Sequence, residues 1–384
     1  MEKTIYLKGR IDSANAADTE VKINAEIGGF DGELTLDAGE LEYISSAGLR
    51  VILRLKKANP TTKIVNCNSE VYEIFDMTGF TEMMDISKAY RTLSIDGCEV
   101  IGEGANGIVY RTDPDTIVKV YKNPDSLDEI HNERELARKA FVMGIPTAIP
   151  YDVVKVGELY GSVFELLNAT SFARLINDGE DVDTLAKQSV DILKTMHATM
   201  LKDGELPSKR EEAIGWAEYS ANYLPAEIGE KLVELFRAIS ETNNMLHGDY
   251  HIKNIMRQGN ENLLIDMDTL SMGHPVYEFA AIYAAYIGFS CVDKENCSNF
   301  LGITTEQCKT FWASTLKYYF EGSATTPEEV ERMAEIICFT RIFRRTIKRY
   351  GVDNAEYKAL IDFCKDYLIK TVPETDIIYF RDET

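Results

Sequence analysis

The stretch Met245-Leu-His-Gly-Asp-Tyr-His-Ile-Lys-Asn-Ile-Met256 carries a His, an Asp and an Asn at the spacing H-x-D-x-x-x-x-N. Apolar residues flank it on both sides, as expected of a loop pinned between strands on a rigid scaffold. Further along, Leu263-Leu-Ile-Asp266-Met-Asp268 is an apolar run ending in carboxylates, and it predicts a strand that delivers Asp266 to the same place. Phosphoryl transfer needs little covalent help from a protein; it needs an acceptor hydroxyl in line and magnesium on the phosphates. Asp249 could accept the hydroxyl proton. Magnesium takes one or two protein oxygens besides phosphate and water, and Asn254 with Asp266 would supply them. Asp249, Asn254 and Asp266 are therefore the candidate catalytic residues, and Asn254 and Asp266 the candidate magnesium ligands.

Upstream, Val100-Ile-Gly102-Glu-Gly104-Ala-Asn-Gly107-Ile-Val109 completes G-x-G-x-x-G-x-V between apolar runs. Glycines let backbone amides approach phosphates closely. Dinucleotide-binding folds share the first three glycines, but there the loop opens a helix. Here Val109-Tyr-Arg-Thr, Asp113-Pro-Asp-Thr and Thr116-Ile-Val-Lys-Val-Tyr121 follow, which predicts a hairpin instead. Strand, glycine loop, strand, lysine is the order found in kinases. Lys119, inside an apolar strand, needs an anion, and the phosphates of ATP would serve. A helix glutamate would orient the amine; Glu133 is the first choice in Ser126–Ala137 and Glu135 the fallback.

These motifs resemble the aminoglycoside phosphotransferase and choline kinase-like family, which carries H-G-D-x-H-x-x-N followed by I-D-[WFM]-[ED]. His251 stands where protein kinases carry Lys, and Ile-Asp-Met-Asp replaces Asp-Phe-Gly. Ser271-Met-Gly-His-Pro-Val-Tyr-Glu-Phe-Ala280 is similar to the family's G-D-P-x-Y-D-L-A, with Glu278 expected to buttress the catalytic loop. The resemblance implies an α+β bilobal protein kinase-like fold, with a small β-rich N-lobe at about 91–168 and a large helical C-lobe at about 169–384. It implies ATP and Mg as cofactors, with Gly102, Gly104, Gly107, Val109, Lys119 and Glu133 on the nucleotide and the backbone from Glu165 to Leu167 on its adenine. It also implies a small-molecule hydroxyl acceptor, held by the late helices. There Arg341, Arg344, Arg345, Lys348 and Arg349 form a basic cluster, expected first to be a solvated or acid-paired helix face and, as the alternative, a docking face for an anionic substrate or partner.

Residues 1–87 read differently: strand, helix, strand, helix, strand, helix, the alternation of a small α/β domain. Gly9-Arg-Ile-Asp-Ser13, Leu36-Asp37, Ile44-Ser-Ser-Ala-Gly-Leu49, Asn68-Ser69 and Met77-Thr-Gly-Phe80 resemble the STAS domain of sulphate transporters and anti-sigma factor antagonists. In the antagonists a loop serine is phosphorylated by a partner kinase. Ser46 takes that position, with Ser45 for the usual Asp. Its hydroxyl is expected either to cap the following helix or to serve as a phospho-switch at a helix N-terminus. Ser69 is expected to cap the next helix, through Asp76. A join of about five residues, Ile86–Tyr90, would lead into the second domain at 88–384.

Composition narrows the function. The 384 residues are 45% hydrophobic and 27% charged, with a net charge of −22, which opposes binding to nucleic acid or anionic membranes. No apolar run reaches the ~18–20 residues that span a bilayer, and the N-terminus lacks the apolar core of a signal peptide. A cytoplasmic location is expected. The seven cysteines are scattered, with no C-x-x-C, and indicate neither zinc nor a disulfide framework. The expectation is an ATP- and Mg-dependent phosphotransferase acting on a small-molecule hydroxyl, with the STAS domain as a docking or regulatory module for a protein partner. Two alternatives stay open: a nucleotide-sensing regulatory protein, and a protein serine kinase acting in an antagonist-like switch.

Overall fold

The computed structural model describes residues 2–104 and 106–380. They fall into two compact units, one of residues 1–97 with 153–161 and one of residues 98–152 with 162–384.

In the first unit the elements run β1 (Glu2–Ile11), α1 (Ala16–Ile27), β2 (Glu33–Ile44), α2 (Ser46–Ala58), β3 (Lys63–Cys67), α3 (Ser69–Met77), α4 (Phe80–Met83) and β4 (Ile86–Lys88). The four strands pair in that order, all in parallel. Parallel neighbours need crossovers, and the helices provide them. β2 is much longer than the expected Glu33–Asp37, because Leu41 and Ile44 continue its buried face. Residues Ile86–Lys88, read as part of a join, are instead the fourth strand: Ile86 pairs with Ile64 and Lys88 with Cys67. β5 (Arg91–Thr92) follows after Ala89-Tyr90.

Two helix caps differ from expectation. Asn68, not Ser69, caps α3, its side chain accepting from Val71 N at 2.9 Å. Ser45, not Ser46, caps α2, its Oγ accepting from Ala47 N at 3.2 Å. The reason is backbone conformation: Ser45 and Asn68 hold the extended φ/ψ of a cap, while Ser46 and Ser69 are already helical. Ser46 is left exposed in the first turn. Gly48 is set by packing, since a Cβ there would lie 2.6 Å from Ile44 Cγ1 and 2.9 Å from Ile11 O.

The second unit begins with β6 (Glu99–Glu103), β7 (Gly107–Asp113) and β8 (Thr116–Tyr121), an antiparallel run. α5 (Leu127–Val142) comes next; β9 (Asp152–Val156) after its first residue, and β10 (Leu159–Glu165) as far as Gly161, belong to the first unit, and the end of β10 to the second. The rest is β11 (Thr170–Ser171), α6 (Phe172–Asn177), α7 (Val182–Ala198), α8 (Lys209–Ala221), α9 (Ala226–Ala238), β12 (Met245–Leu246), β13 (Ile255–Gln258), β14 (Glu261–Leu264), β15 (Ser271–Met272), α10 (Val276–Tyr283), α11 (Thr305–Tyr319), α12 (Pro327–Tyr350) and α13 (Lys358–Thr371). α10 is buried almost all round, by Val276, Tyr277, Phe279, Ala280, Ile282 and Tyr283, as a helix at the centre of a helical core must be. Glu278, 1% exposed, is the acid in that apolar helix. Thr304 and Thr326 close capping boxes with Gln307 and Glu329 and fix the starts of α11 and α12. No helix among the described residues is long and apolar enough to cross a membrane.

Candidate active site

The candidate catalytic stretch is held at both ends by short antiparallel ladders. Met245 and Leu246 of β12 pair with Met272 and Ser271 of β15. Ile255 of β13 pairs with Leu264 of β14, so the loop and the strand before Asp266 share one hairpin. Between the ladders the chain turns at Gly248, with φ +84°. A Cβ there would lie 2.5 Å from Thr269 O, so glycine is required both by conformation and by space. Glu278 of α10 accepts from His247 N at 2.5 Å and from Gly248 N at 3.0 Å. These two bonds explain the acid in the apolar helix, because they satisfy buried amides that have no strand partner. Burial pushes the Glu278 carboxyl up to about 7, against the pull of those amides.

His247 is structural. Its Nε2 donates to Ile265 O at 3.2 Å and its Nδ1 accepts from Asp249 N at 3.3 Å, the pattern of a neutral ring. Burial holds its pKa below the ordinary value. Asp249 then emerges with its side chain 49% exposed and Oδ2 3.4 Å from His251 Nε2. Burial raises its carboxyl, but His251, followed by His247 and Arg341, outweighs burial and holds it low. A carboxylate kept ionised and half-exposed can accept a proton or orient a hydroxyl. Asn254 donates from Nδ2 to Asp249 O at 3.0 Å, which leaves its Oδ1 for a ligand.

Asp266 follows β14 with φ 64° and ψ 63°; among the described residues only it and Asn66 are non-glycines at positive φ. Such backbone is costly and persists where surroundings impose it, often at functional sites. Its Oδ1 lies 3.1 Å from Lys119 Nζ, which is also 3.0 Å from Glu133 Oε1 and 3.1 Å from Oε2. Lys119 sits opposite Val109 across β7 and β8. Tyr121 donates to Glu133 Oε2 from the other side. Burial pulls the Lys119 amine down, but the negative charges of Glu133 and Asp266 prevail and keep it raised and protonated.

The glycine loop closes through Gly104 N to Gly107 O at 2.9 Å. Gly107 is demanded by the sheet, since a Cβ would come 2.7 Å from Val120 O. Gly102 and Gly104 are not: an added Cβ meets nothing nearer than 3.9 Å. The space beside them is open to a ligand. Ala105 lies outside the described residues. Glu165 ends β10 exposed, and Leu167 lies in the connection beyond, where Leu166 N donates to Asp115 O at 2.8 Å; neither side chain joins the Lys119 cluster. Ser46 lies in the other unit.

Sequence reasoning missed two participants. Asp268 is half-buried, and burial together with neighbouring Asp266 pushes its carboxyl up. Tyr121 carries Glu133. The pattern held a cue for the first, a second acid two residues after Asp266, and none for the second. Crowded acids at Asp266 and Asp268, with the Asn254 amide, form a hard-oxygen set suited to magnesium. Among the described residues no group of three or more His, Cys, Asp or Glu could hold a metal alone.

Residues 97–295 match the phosphotransferase enzyme family, and residues 3–94 match the STAS domain. Over 87 residues, 22% of this chain and 75% of the relative, the sequence is 32% identical to BtrV of Bordetella bronchiseptica, whose name places it among anti-sigma factor antagonists. A thermostable mutant of aminoglycoside phosphotransferase APH(4)-Ia, solved with AMP-PNP and hygromycin B, is similar in fold at TM-score 0.50 and 14% identity, over 71% of this chain and 93% of that one. APH(2")-IIa in complex with gentamicin aligns at TM-score 0.47 and 16% identity, over 80% and 98%. The kinase-like fold expected for the second unit and the α/β STAS fold expected for the first are both present.

Proposed function

Because the chain belongs to the phosphotransferase enzyme family and carries a STAS domain ahead of it, we propose that it transfers the γ-phosphoryl group of ATP to a hydroxyl of a small molecule. The observation that carries this reading is the single amine of Lys119 bound at once to Glu133 and Asp266. It ties the glycine-loop sheet to the strand that follows the catalytic loop.

Lys119, oriented by Glu133, would neutralise phosphate charge, while the amides beside Gly102 and Gly104 approach the same phosphates. Asp249 would hold the acceptor hydroxyl in line and take its proton. Asn254 and Asp266 would hold magnesium, which when bound neutralises charge on the phosphate oxygens. Glu278 and Gly248 keep Asp249 in place. The STAS domain would serve as a docking or regulatory module for a protein partner.

The test is Mg·ATP binding and acceptor-dependent turnover in parent and variant chains. Asp249→Asn should lower turnover by about 10²–10⁴-fold while leaving Mg·ATP affinity near the parent's. Lys119→Ala should weaken the nucleotide itself. Equal loss of ATP affinity in both would show that the roles are misassigned, and no binding at millimolar Mg·ATP would remove the reading altogether.

A further inference from the structure

The connection between α10 and α11 carries no catalytic motif, yet it is built unusually. It holds two π-helical turns, Ala284–Gly288 and Cys297–Leu301. Such turns are rare and gather at functional sites. Both reach the segment just after Asp249. Tyr286, 1% exposed and stacked on Phe311, accepts at its phenol oxygen from Ile252 N at 3.0 Å. Phe300 accepts at its carbonyl from Lys253 Nζ at 3.2 Å, and its ring lies 5.1 Å from that of His251, edge to face at 89°. The two turns are also joined to each other, since Cys297 Sγ donates to Tyr286 O at 3.4 Å.

Asp249 is the residue that gains from this support. Its backbone is pinned on both sides, the amide donating to His247 Nδ1 at 3.3 Å and the carbonyl accepting from Asn254 Nδ2 at 3.0 Å. Its carboxylate is not. Among the described residues that half-exposed group has one hydrogen-bonding or ion-pairing partner, His251 Nε2 at 3.4 Å from Oδ2. A carboxylate free to turn samples several rotamers, and a displacement of about 1 Å is enough to slow a transfer. His251 is 5% exposed, and its other nitrogen, Nδ1, is buried with no hydrogen-bond partner among the described residues. A bond through the second nitrogen is what ordinarily fixes an imidazole. Here packing has to do so, and Phe300 is the ring set edge to face against it. Phe300 is itself 39% exposed, so core burial does not account for its place.

We infer that His251 is a positioning residue for the transfer: its Nε2 holds the Asp249 carboxylate toward the acceptor hydroxyl, and Phe300, delivered by the second π turn, holds the His251 ring. This rests on the reading of Asp249 as the residue that faces the acceptor. Neither His251 nor Phe300 takes part in the transfer itself.

Crystals of the full chain with Mg·ADP, as parent, His251→Ala, His251→Gln and Phe300→Ala, test it directly. In His251→Ala and Phe300→Ala the Asp249 carboxylate should leave its parent position or spread over several rotamers. In His251→Gln, whose amide nitrogen reaches about as far as Nε2, it should stay. Hydrolysis of ATP, in which water replaces the acceptor hydroxyl, adds a kinetic readout that needs no acceptor. His251→Ala should lower its kcat by about 10–100-fold with the KM for ATP near the parent's, and His251→Gln should recover most of the loss. Because Phe300 lies at the surface, Phe300→Ala keeps the test open if His251→Ala does not fold. An Asp249 carboxylate that keeps its place in either alanine variant overturns the inference, as does a kcat that Gln restores no better than Ala. Where the parent hydrolyses ATP too slowly to measure, the position of the carboxylate decides alone. A parent chain that fails to bind Mg·ADP would instead strike at the phosphotransferase reading.

Discussion

Gly248→Ala should disable the loop out of proportion to its size, and Gly259→Ala is its matched control. Both glycines lie in the same unit at positive φ, +84° and +59°. Forcing a Cβ into left-handed backbone costs about 1–2 kcal/mol at either site. At Gly259 nothing lies within 4 Å of the new Cβ, so that is the whole effect. At Gly248 the Cβ would come 2.5 Å from Thr269 O, 3.1 Å from Thr269 Cβ and 3.2 Å from its Oγ1. The first of those contacts is closer than atoms tolerate without backbone movement and the other two are tight, which adds about 1–3 kcal/mol. The Thr269 hydroxyl is itself bonded to His247 O at 2.8 Å, and Gly248 N to Glu278, so neither side can yield freely. Urea unfolding followed by tryptophan emission reads this unit alone, since Trp216 and Trp312 are the chain's two tryptophans. Gly248→Ala should unfold about 1–3 kcal/mol more easily than Gly259→Ala. Its turnover should fall about 10²-fold if Asp249 shifts by about 1 Å. Equal stability of the two variants would refute the claim that Thr269 crowds Gly248.

Glu278 predicts a pH dependence. Its carboxyl is raised to about 7 in the folded chain, above an unfolded value near ~4.3. The associated stability is therefore fully present below about pH 4, and is lost as pH rises through about 7, by on the order of 3–4 kcal/mol. The urea midpoint should fall between about pH 5 and 8, and Glu278→Gln should flatten that slope; an unchanged slope would assign the effect to other groups. In the STAS domain, Ser45→Ala should cost about 1 kcal/mol and Ser46→Ala less than about 0.5 kcal/mol in thermal unfolding of the full chain. The reverse order would return the cap to Ser46.

What the sequence made legible was periodicity and spacing. The glycine loop followed by a hairpin separated this chain from dinucleotide-binding folds, and Lys119 in an apolar strand drew attention because an amine there needs an anion. Less legible were features that depend on backbone conformation and on distant partners. Ser45 and Ser46 are equivalent as letters; only their φ/ψ distinguishes the cap. The end of β2 at Ile44 depends on Leu41 and Ile44 facing the core, which the interruption at Gly39-Glu40 hides. Glu278 could be guessed as a buttress from its place in a motif, but not its two-amide grip. The α12 cations could be solvated or acid-paired, and letters do not decide; none of the five forms an ion pair among the described residues. Phe300 carries no signal as a letter, and only its ring beside His251 sets it apart.

The left-handed backbone at Asp266 bears on how an inactive form of this protein should be made. Alanine would remove the carboxylate but also place a residue poorly suited to φ 64° at the pivot between β14 and the turn beyond it, so lost activity would mix chemistry with local remodelling. Asparagine visits that region readily and keeps the side chain's shape. Asp266→Asn is therefore the substitution in which charge alone is deleted. A form silenced in this way keeps its surfaces intact, which is what the capture of a STAS-domain partner or a bound acceptor would require.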